Sequence, residues 1–247
     1  MKFKRHTIIF KKRHFLFSKG NVFFIHGFDS NWTVHKNLLM DLYHEGYNIY
    51  TVDLPNHGLN IDFDRQFLFL DYIRFCKGYV NLKNKKKVIL IGHSMGGGIV
   101  SAISHQIKNL KAVVLLDPLQ KGAKAHKAKR LLASIFNKEL HEKVKNWLAP
   151  KAANKNFDGK KLLSDLTSEA SDKIINYGLS RIDVPLLVVF GENDYIIPPE
   201  PSVEHIKENA KKSPLIKVVL IKKAEHSPGV ENEKETLKEI TSFLLNI

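Results

Sequence analysis

The sequence predicts an α/β fold with a mostly parallel sheet and helices on both faces. Two observations predict it. Short continuous Val/Ile/Leu/Phe runs alternate with segments of helical spacing, and one such run ends in a glycine-framed serine followed directly by a helical segment. Strands that read as unbroken apolar runs, without polar alternation, are buried on both faces, and this is the pattern of parallel sheets covered by helices.

The elements follow in order. Thr7–Phe10 and His14–Phe17 read as two short N-terminal strands at an antiparallel edge. Val22–Ile25 is the first fully apolar run. Thr33–Glu45 places Val34, Leu38, Leu39 and Leu42 at helical spacing and stops at Gly46, a C-terminal cap. Asn48–Val52 is the next strand, and Asp64–Leu82 a long helical pattern. Val88–Ile91 precedes a helix expected over Met95–Lys108, and Ala112–Leu116 is the sixth strand of this count. Further strands are expected at Val184–Phe190 and Ile216–Ile221, with helices at Glu200–Lys211 and Glu231–Leu245.

Residues 120–180 break this rhythm. They contain no apolar strand, are rich in Lys and Ala, and show helical pieces at Lys127–Phe136, Glu139–Leu148 and Lys160–Tyr177. The expected organisation is therefore a core of residues 1–119 and 181–247, with residues 120–180 inserted after the sixth strand as a small helical cap.

Composition narrows the function classes. The 247 residues carry 39 Lys+Arg against 25 Asp+Glu, a net charge of +14. Such a balance favours polyanions, but the lysines are spread along the chain without a nucleic-acid signature. No nucleic-acid partner is expected. Lys121, Lys124, Lys127, Lys129 and Arg130 in the cap offer contact with an anionic membrane, although a solvated helix face is the first reading in so lysine-rich a chain. Cys76 is the single cysteine and sits in an apolar stretch, so it reads as a core residue, and disulfides within the chain are excluded. No apolar segment is long enough to span a bilayer, and Met1–Phe17 lacks the long apolar region of a signal peptide. A cytoplasmic protein is expected. There is no zinc, EF-hand, Walker A or dinucleotide motif, so neither a metal nor a cofactor is expected. Nothing in the sequence fixes an oligomeric state.

The chemistry centres on Gly92-His93-Ser94-Met95-Gly96. A Gly-x-Ser-x-Gly between a buried strand and a helix places the serine on a sharp turn at the carboxyl end of the sheet. The glycines let neighbouring chain pass close by, and the helix start brings free N–H groups and its positive dipole end to the same place. A serine hydroxyl needs a base to become a nucleophile. His226, in the loop after the last strand, is the candidate.

These residues, with Phe24-Ile25-His26-Gly27-Phe28, Asp53-Leu54-Pro55-Asn56-His57-Gly58, Gly191-Glu192-Asn193-Asp194 and Glu225-His226-Ser227-Pro228, make the chain resemble the α/β-hydrolase superfamily, close to its small cap-bearing serine esterases and lipases. The resemblance runs from Val22 to the C-terminus. Asn56 departs from it, standing where glycine is common. The resemblance implies Ser94 as nucleophile, His226 as base and Asp194 as its acid. Asp117, after the strand Ala112–Leu116, is the rival for the acid. It also implies an oxyanion hole from the backbone N–H groups of Phe28 and Met95, with the Phe28 ring and His26 at the substrate. His26 could instead only brace its loop. The implied activity is hydrolysis of a small-molecule ester or lipid-like substrate. A thioesterase, an acyltransferase or a small-substrate peptidase would use the same triad. A peptidase would want an acid in the cap for the substrate amine, with Glu139, Glu142 and Glu169 as candidates. A non-catalytic binding module is the remaining class.

Overall fold

In a computed structural model of the protein, residues 7–10, 18–61, 63–83, 87–120 and 157–247 are described. Their core is a seven-stranded sheet: β1 (Thr7–Phe10), β2 (Gly20–Ile25), β3 (Tyr47–Val52), β4 (Val88–His93), β5 (Leu110–Leu116), β6 (Leu186–Gly191) and β7 (Ile216–Ile221). The spatial order is β1-β3-β2-β4-β5-β6-β7. β1 runs antiparallel to β3, and all other neighbours are parallel. His14–Phe17, the expected second strand, lies outside the described residues, so the strand before the insertion is the fifth described one.

Strand side chains alternate between two cores. Phe23, Ile25, Leu90, Val113 and Val188 point to one face, under helices α2 (Phe69–Lys83), α3 (Met95–Ile103), α4 (Gly159–Leu166), α5 (Glu169–Leu179) and α6 (Pro199–Asn209). Val22, Phe24, Ile89, Ile91, Val114 and Leu187 point to the other, under α1 (Lys36–His44) and α8 (Glu233–Leu245). Every residue of β4 and β6 is buried. This is why those strands read as continuous apolar runs.

Helix boundaries differ from the sequence expectation where side chains bond to local backbone. The pattern from Asp64 becomes helical only at Phe69, because Asp71 in the first turn accepts the N–H of Leu68. The expected helix over Lys160–Tyr177 is two helices, since Ser168 caps α5 by accepting the N–H of Ser171. The last helix, α8, begins at Glu233, two residues after its expected start, and the single turn α7 (Pro228–Glu231) precedes it.

Of the segment read as a cap, residues 121–156 lie outside the described residues, and with them Lys121, Lys124, Lys127, Lys129, Arg130, Glu139 and Glu142. The described part, α4 and α5, buries Leu162, Leu166, Ile175 and Leu179 in the same cluster as the sheet. Gly178 makes the approach of α5 to α3 possible, since a Cβ there would lie 2.2 Å from the carbonyl oxygen of Ser101. Glu169 pairs with Lys173 on the exposed face of α5.

Among the described residues no helix is long and apolar enough to cross a membrane. Cys76 is fully buried in α2, and burial pushes its thiol well above the ordinary range, as suits a core residue.

Candidate active site

In an open α/β sheet, ligands bind beyond the carboxyl ends of the strands. Here each strand from β2 to β7 delivers a polar side chain to that edge: His26, Asp53, Ser94, Asp117, Asp194 and His226 follow β2, β3, β4, β5, β6 and β7 respectively.

Ser94 sits between β4 and α3 with φ 53° and ψ −118°, a region that non-glycine residues rarely occupy. Backbone bonds hold it there. Its N–H donates to Leu116 O (2.9 Å), and its carbonyl accepts from Gly97, Gly98 and Leu119. The framing glycines are required by contact. A Cβ on Gly92 would lie 2.4 Å from Gly96 O, and one on Gly96 would lie 2.1 Å from Ile25 O.

The Ser94 hydroxyl donates to His226 Nε2 at 2.9 Å, and His226 Nδ1–H donates to Asp194 Oδ2 at 2.8 Å. Asp194 Oδ1 accepts the N–H groups of Ile196 and Ile197 at 2.7 and 2.8 Å. The three side chains that the sequence singled out are thus brought into one chain of hydrogen bonds, all buried. Such an arrangement can remove a proton from a serine, fix the imidazole tautomer and stabilise an imidazolium.

Met95 is the first residue of α3, so its N–H has no acceptor within the helix. Gly27 and Phe28 line the same cavity as Ser94, and a Cβ on Gly27 would lie 3.1 Å from Ser94 Cβ. The cavity is about 400 Å³ and is also walled by Val34, Tyr195, Ile196 and Glu225. The Phe28 ring packs against Phe157.

His26 is not on the cavity wall. It is fully buried, its Nδ1–H donates to Gly27 O, and its Nε2 accepts the N–H of Leu54, both at 2.8 Å. Burial lowers its pKa to about 4, so the ring stays neutral. Nδ1 is bonded within the β2 loop and Nε2 joins that loop to the β3 loop at Leu54, the bracing role that the sequence analysis gave as the alternative. Asp53 reinforces that junction by accepting the N–H groups of Trp32 and Leu59. Asn56 has φ 64°, which explains why asparagine can replace the more usual glycine.

Two residues acquire roles that the sequence reading gave them only in outline. His93 stands next to Ser94 in the motif, so its side chain cannot point the same way. Its Nε2–H donates to the backbone oxygen of His226 at 2.7 Å. Asp117 is the rival acid of the sequence analysis. It is fully buried, its Oδ1 accepts the N–H of Gly191 at 3.0 Å, and a side-chain oxygen lies within 4.8 Å of ligating atoms of both Asp194 and His226. Only its place after a strand could have flagged it. Asp117, Asp194 and His226 are the one group of three among the described residues spaced to hold a metal ion, and His226 Nδ1 and Asp194 Oδ2 already bond each other.

Fold and site together define an α/β protein with a serine, histidine and aspartate joined at the carboxyl edge of the sheet. Residues 22–239 match the alpha/beta hydrolase family, and the chain belongs to it. It is similar to two proteins named "Putative esterase/lipase 2". The one from Mycoplasma genitalium is 30% identical, with 93% of this chain and 91% of that protein covered. The one from Mycoplasma pneumoniae is 29% identical, covering 96% and 91%. Among solved structures, the monoacylglycerol lipase of Paleococcus ferrophilus shares the fold with a TM-score of 0.72, at 21% identity and 98% coverage of both chains.

Proposed function

We propose that the protein is a serine hydrolase that cleaves carboxylic esters through an acyl-enzyme on Ser94. The observation that carries this reading is the unbroken relay Ser94 Oγ–His226 Nε2 and His226 Nδ1–Asp194 Oδ2, at 2.9 and 2.8 Å. Its similarity to proteins named esterase/lipase supports the choice of ester as substrate.

On this reading His226 Nε2 takes the hydroxyl proton as Ser94 Oγ attacks the ester carbonyl carbon. The carbonyl oxygen becomes an oxyanion and accepts hydrogen bonds from the backbone N–H groups of Met95 and Phe28. The tetrahedral adduct collapses, the bond to the alcohol oxygen breaks, and His226 returns the proton to that oxygen. Water then attacks the acyl-enzyme with His226 again as base, releasing the acid and free Ser94. Asp194 keeps Nε2 unprotonated in the resting state and stabilises the imidazolium.

The Phe28 ring on the cavity wall, backed by Phe157, is the apolar surface expected to receive acyl carbons. On this reading residues 120–180 are the substrate-selecting segment, and their basic residues Lys121, Lys124, Lys127, Lys129 and Arg130 are where a lipid surface would be met.

The test is a panel of chromogenic esters of increasing acyl length, with wild type beside Ser94→Ala. Turnover that the variant loses supports the reading, and the chain-length preference sizes the pocket. If no ester is turned over, thioester and amide substrates and fluorophosphonate labelling of Ser94 decide between another acyl-transfer reaction and a binding module.

A further inference from the structure

Asp117 is a buried acid that the reaction above does not use. Its backbone is held in the left-handed region, at φ 41°, by its N–H bond to Val189 O. Its Oδ1 is satisfied by Gly191 N–H. Its Oδ2 is buried, and among the described residues no donor reaches it. What faces it is another acid: side-chain oxygens of Asp117 and Asp194 lie within 4.8 Å of each other.

Two carboxylates in one dry site cannot both carry charge, so one holds a proton. The hydrogen bonds decide which. Asp194 accepts from His226 and from two backbone N–H groups, so its negative charge is well stabilised. Asp117 has one N–H donor and one oxygen that gains a partner only by carrying hydrogen. The electrostatics agree. Burial, the Asp194 charge and, more weakly, Glu231 on α7 push the Asp117 carboxyl well above the usual carboxylate range, against the pull of the Gly191 bond. The other titratable groups nearby are histidines. His93 and His35 lie behind His226, and burial keeps both neutral.

We propose that Asp117 is a positioning residue for the triad, a neutral carboxylic acid that donates a hydrogen bond to the Asp194 carboxylate and keeps it aimed at His226. This rests on the serine-hydrolase reading for its kinetic consequences, though not for the protonation state itself. Gly191 ties the two acids together: its N–H donates to Asp117 Oδ1 and its carbonyl accepts the N–H of Asp194. The donated bond spreads the Asp194 charge. Without it Asp194 attracts the imidazolium more strongly, so the histidine holds its proton to higher pH.

The experiment compares wild type, Asp117→Asn, Asp117→Ala and Asp194→Asn on one ester, with kcat and kcat/KM followed against pH. Asp117→Ala is expected to lose about tenfold in kcat and to move the acid limb of kcat/KM upward by roughly half a pH unit. Asp117→Asn should restore most of both, because an amide keeps the acceptor for Gly191 and a donor for Asp194. An infrared difference spectrum between wild type and Asp117→Asn should show the carbonyl band of a protonated carboxylic acid at neutral pH.

Loss of activity in Asp117→Asn as severe as in Asp194→Asn would overturn the proposal, since Asp117 would then be the charged acid. An unmoved acid limb in Asp117→Ala, or absence of the infrared band, would also overturn it. If Asp117→Ala does not fold, the amide variant and the spectrum still decide. Wild-type turnover that Ser94→Ala fails to abolish would instead sink the serine-hydrolase reading, and the infrared band would remain a test of the proton.

Discussion

His93 holds the main chain of His226. Its Nε2–H meets the His226 carbonyl at 2.7 Å, and the two rings lie 5.2 Å apart. The residue just before Ser94 thus fixes the loop that carries His226, although His93 and His226 are 133 positions apart in sequence. Replacing His93 by alanine leaves that buried carbonyl without its donor and lets the base drift. The expected result is a loss of kcat of about ten- to a hundredfold with KM little changed, and a fall in stability of about 1–3 kcal/mol. Steady-state kinetics and thermal melts check it. A raised KM at constant kcat would place His93 in substrate binding instead.

Ser94 sits at φ 53° and ψ −118°, so the nucleophile turn is strained. Backbone strain of this kind costs about 1–3 kcal/mol, and glycine relieves it. Two inactive variants make the comparison clean. Ser94→Gly is expected to be more stable than Ser94→Ala by about 1 kcal/mol, measured by chemical denaturation. Equal stabilities would mean that the turn is relaxed.

Acid should unfold the protein well above the range where exposed carboxylates titrate. His26 and His35 are lowered by burial to about 4, and His57 to about 3, from an ordinary value of 6.5. Below pH 6.5 the unfolded chain takes up protons at these rings that the folded chain refuses. Their contribution is therefore intact above pH 6.5 and is lost as pH falls toward 4, with a limiting slope of about 1.4 kcal/mol per pH unit for each histidine. Neither ring nitrogen of His35 has a hydrogen-bond partner among the described residues. His35→Phe should flatten the acid side of the stability profile by one proton's worth of slope. An unchanged slope would show that His35 is not part of the titrating set.

Gly191 lies where the β6 turn touches the loop of the base. A Cβ there would lie 1.7 Å from the backbone oxygen of Glu225, the residue before His226. Gly191→Ala is therefore expected to push the His226 loop outward and to reduce kcat by at least about a hundredfold. Esterase assays on the folded variant check this, and near-normal activity would mean that the two loops move together.

The central strands and the turn of Ser94 were legible because their causes are local, whereas Asp194 was legible only through the family resemblance. A strand buried on both faces must be apolar throughout, and a serine turn packed against β2 and β5 must be framed by glycine. Other features depend on distant partners and leave no such mark. The break in the pattern at Ser168 depends on one capping bond, and the buried state of Asp117 depends on chain 74 residues away. His26 shows the opposite hazard. It lies in a motif that suggests substrate contact, and only the bonds to Gly27 and Leu54 reveal that its ring is fully used within the protein.

The insertion leaves the core after β5, a strand flanked on both sides by others. Ser94 and Asp194 hang from its two neighbours and His226 from the strand beyond, so every tether of the relay lies in the sheet and none passes through residues 121–156. Chain length and composition in that stretch can therefore drift without dragging the reacting atoms apart. In evolutionary terms the sheet keeps the relay as an inherited engine, and, on the proposed reading of residues 120–180 as a cap, grafting the corresponding stretch of a relative should alter which acids and alcohols are accepted while the relay stays in register.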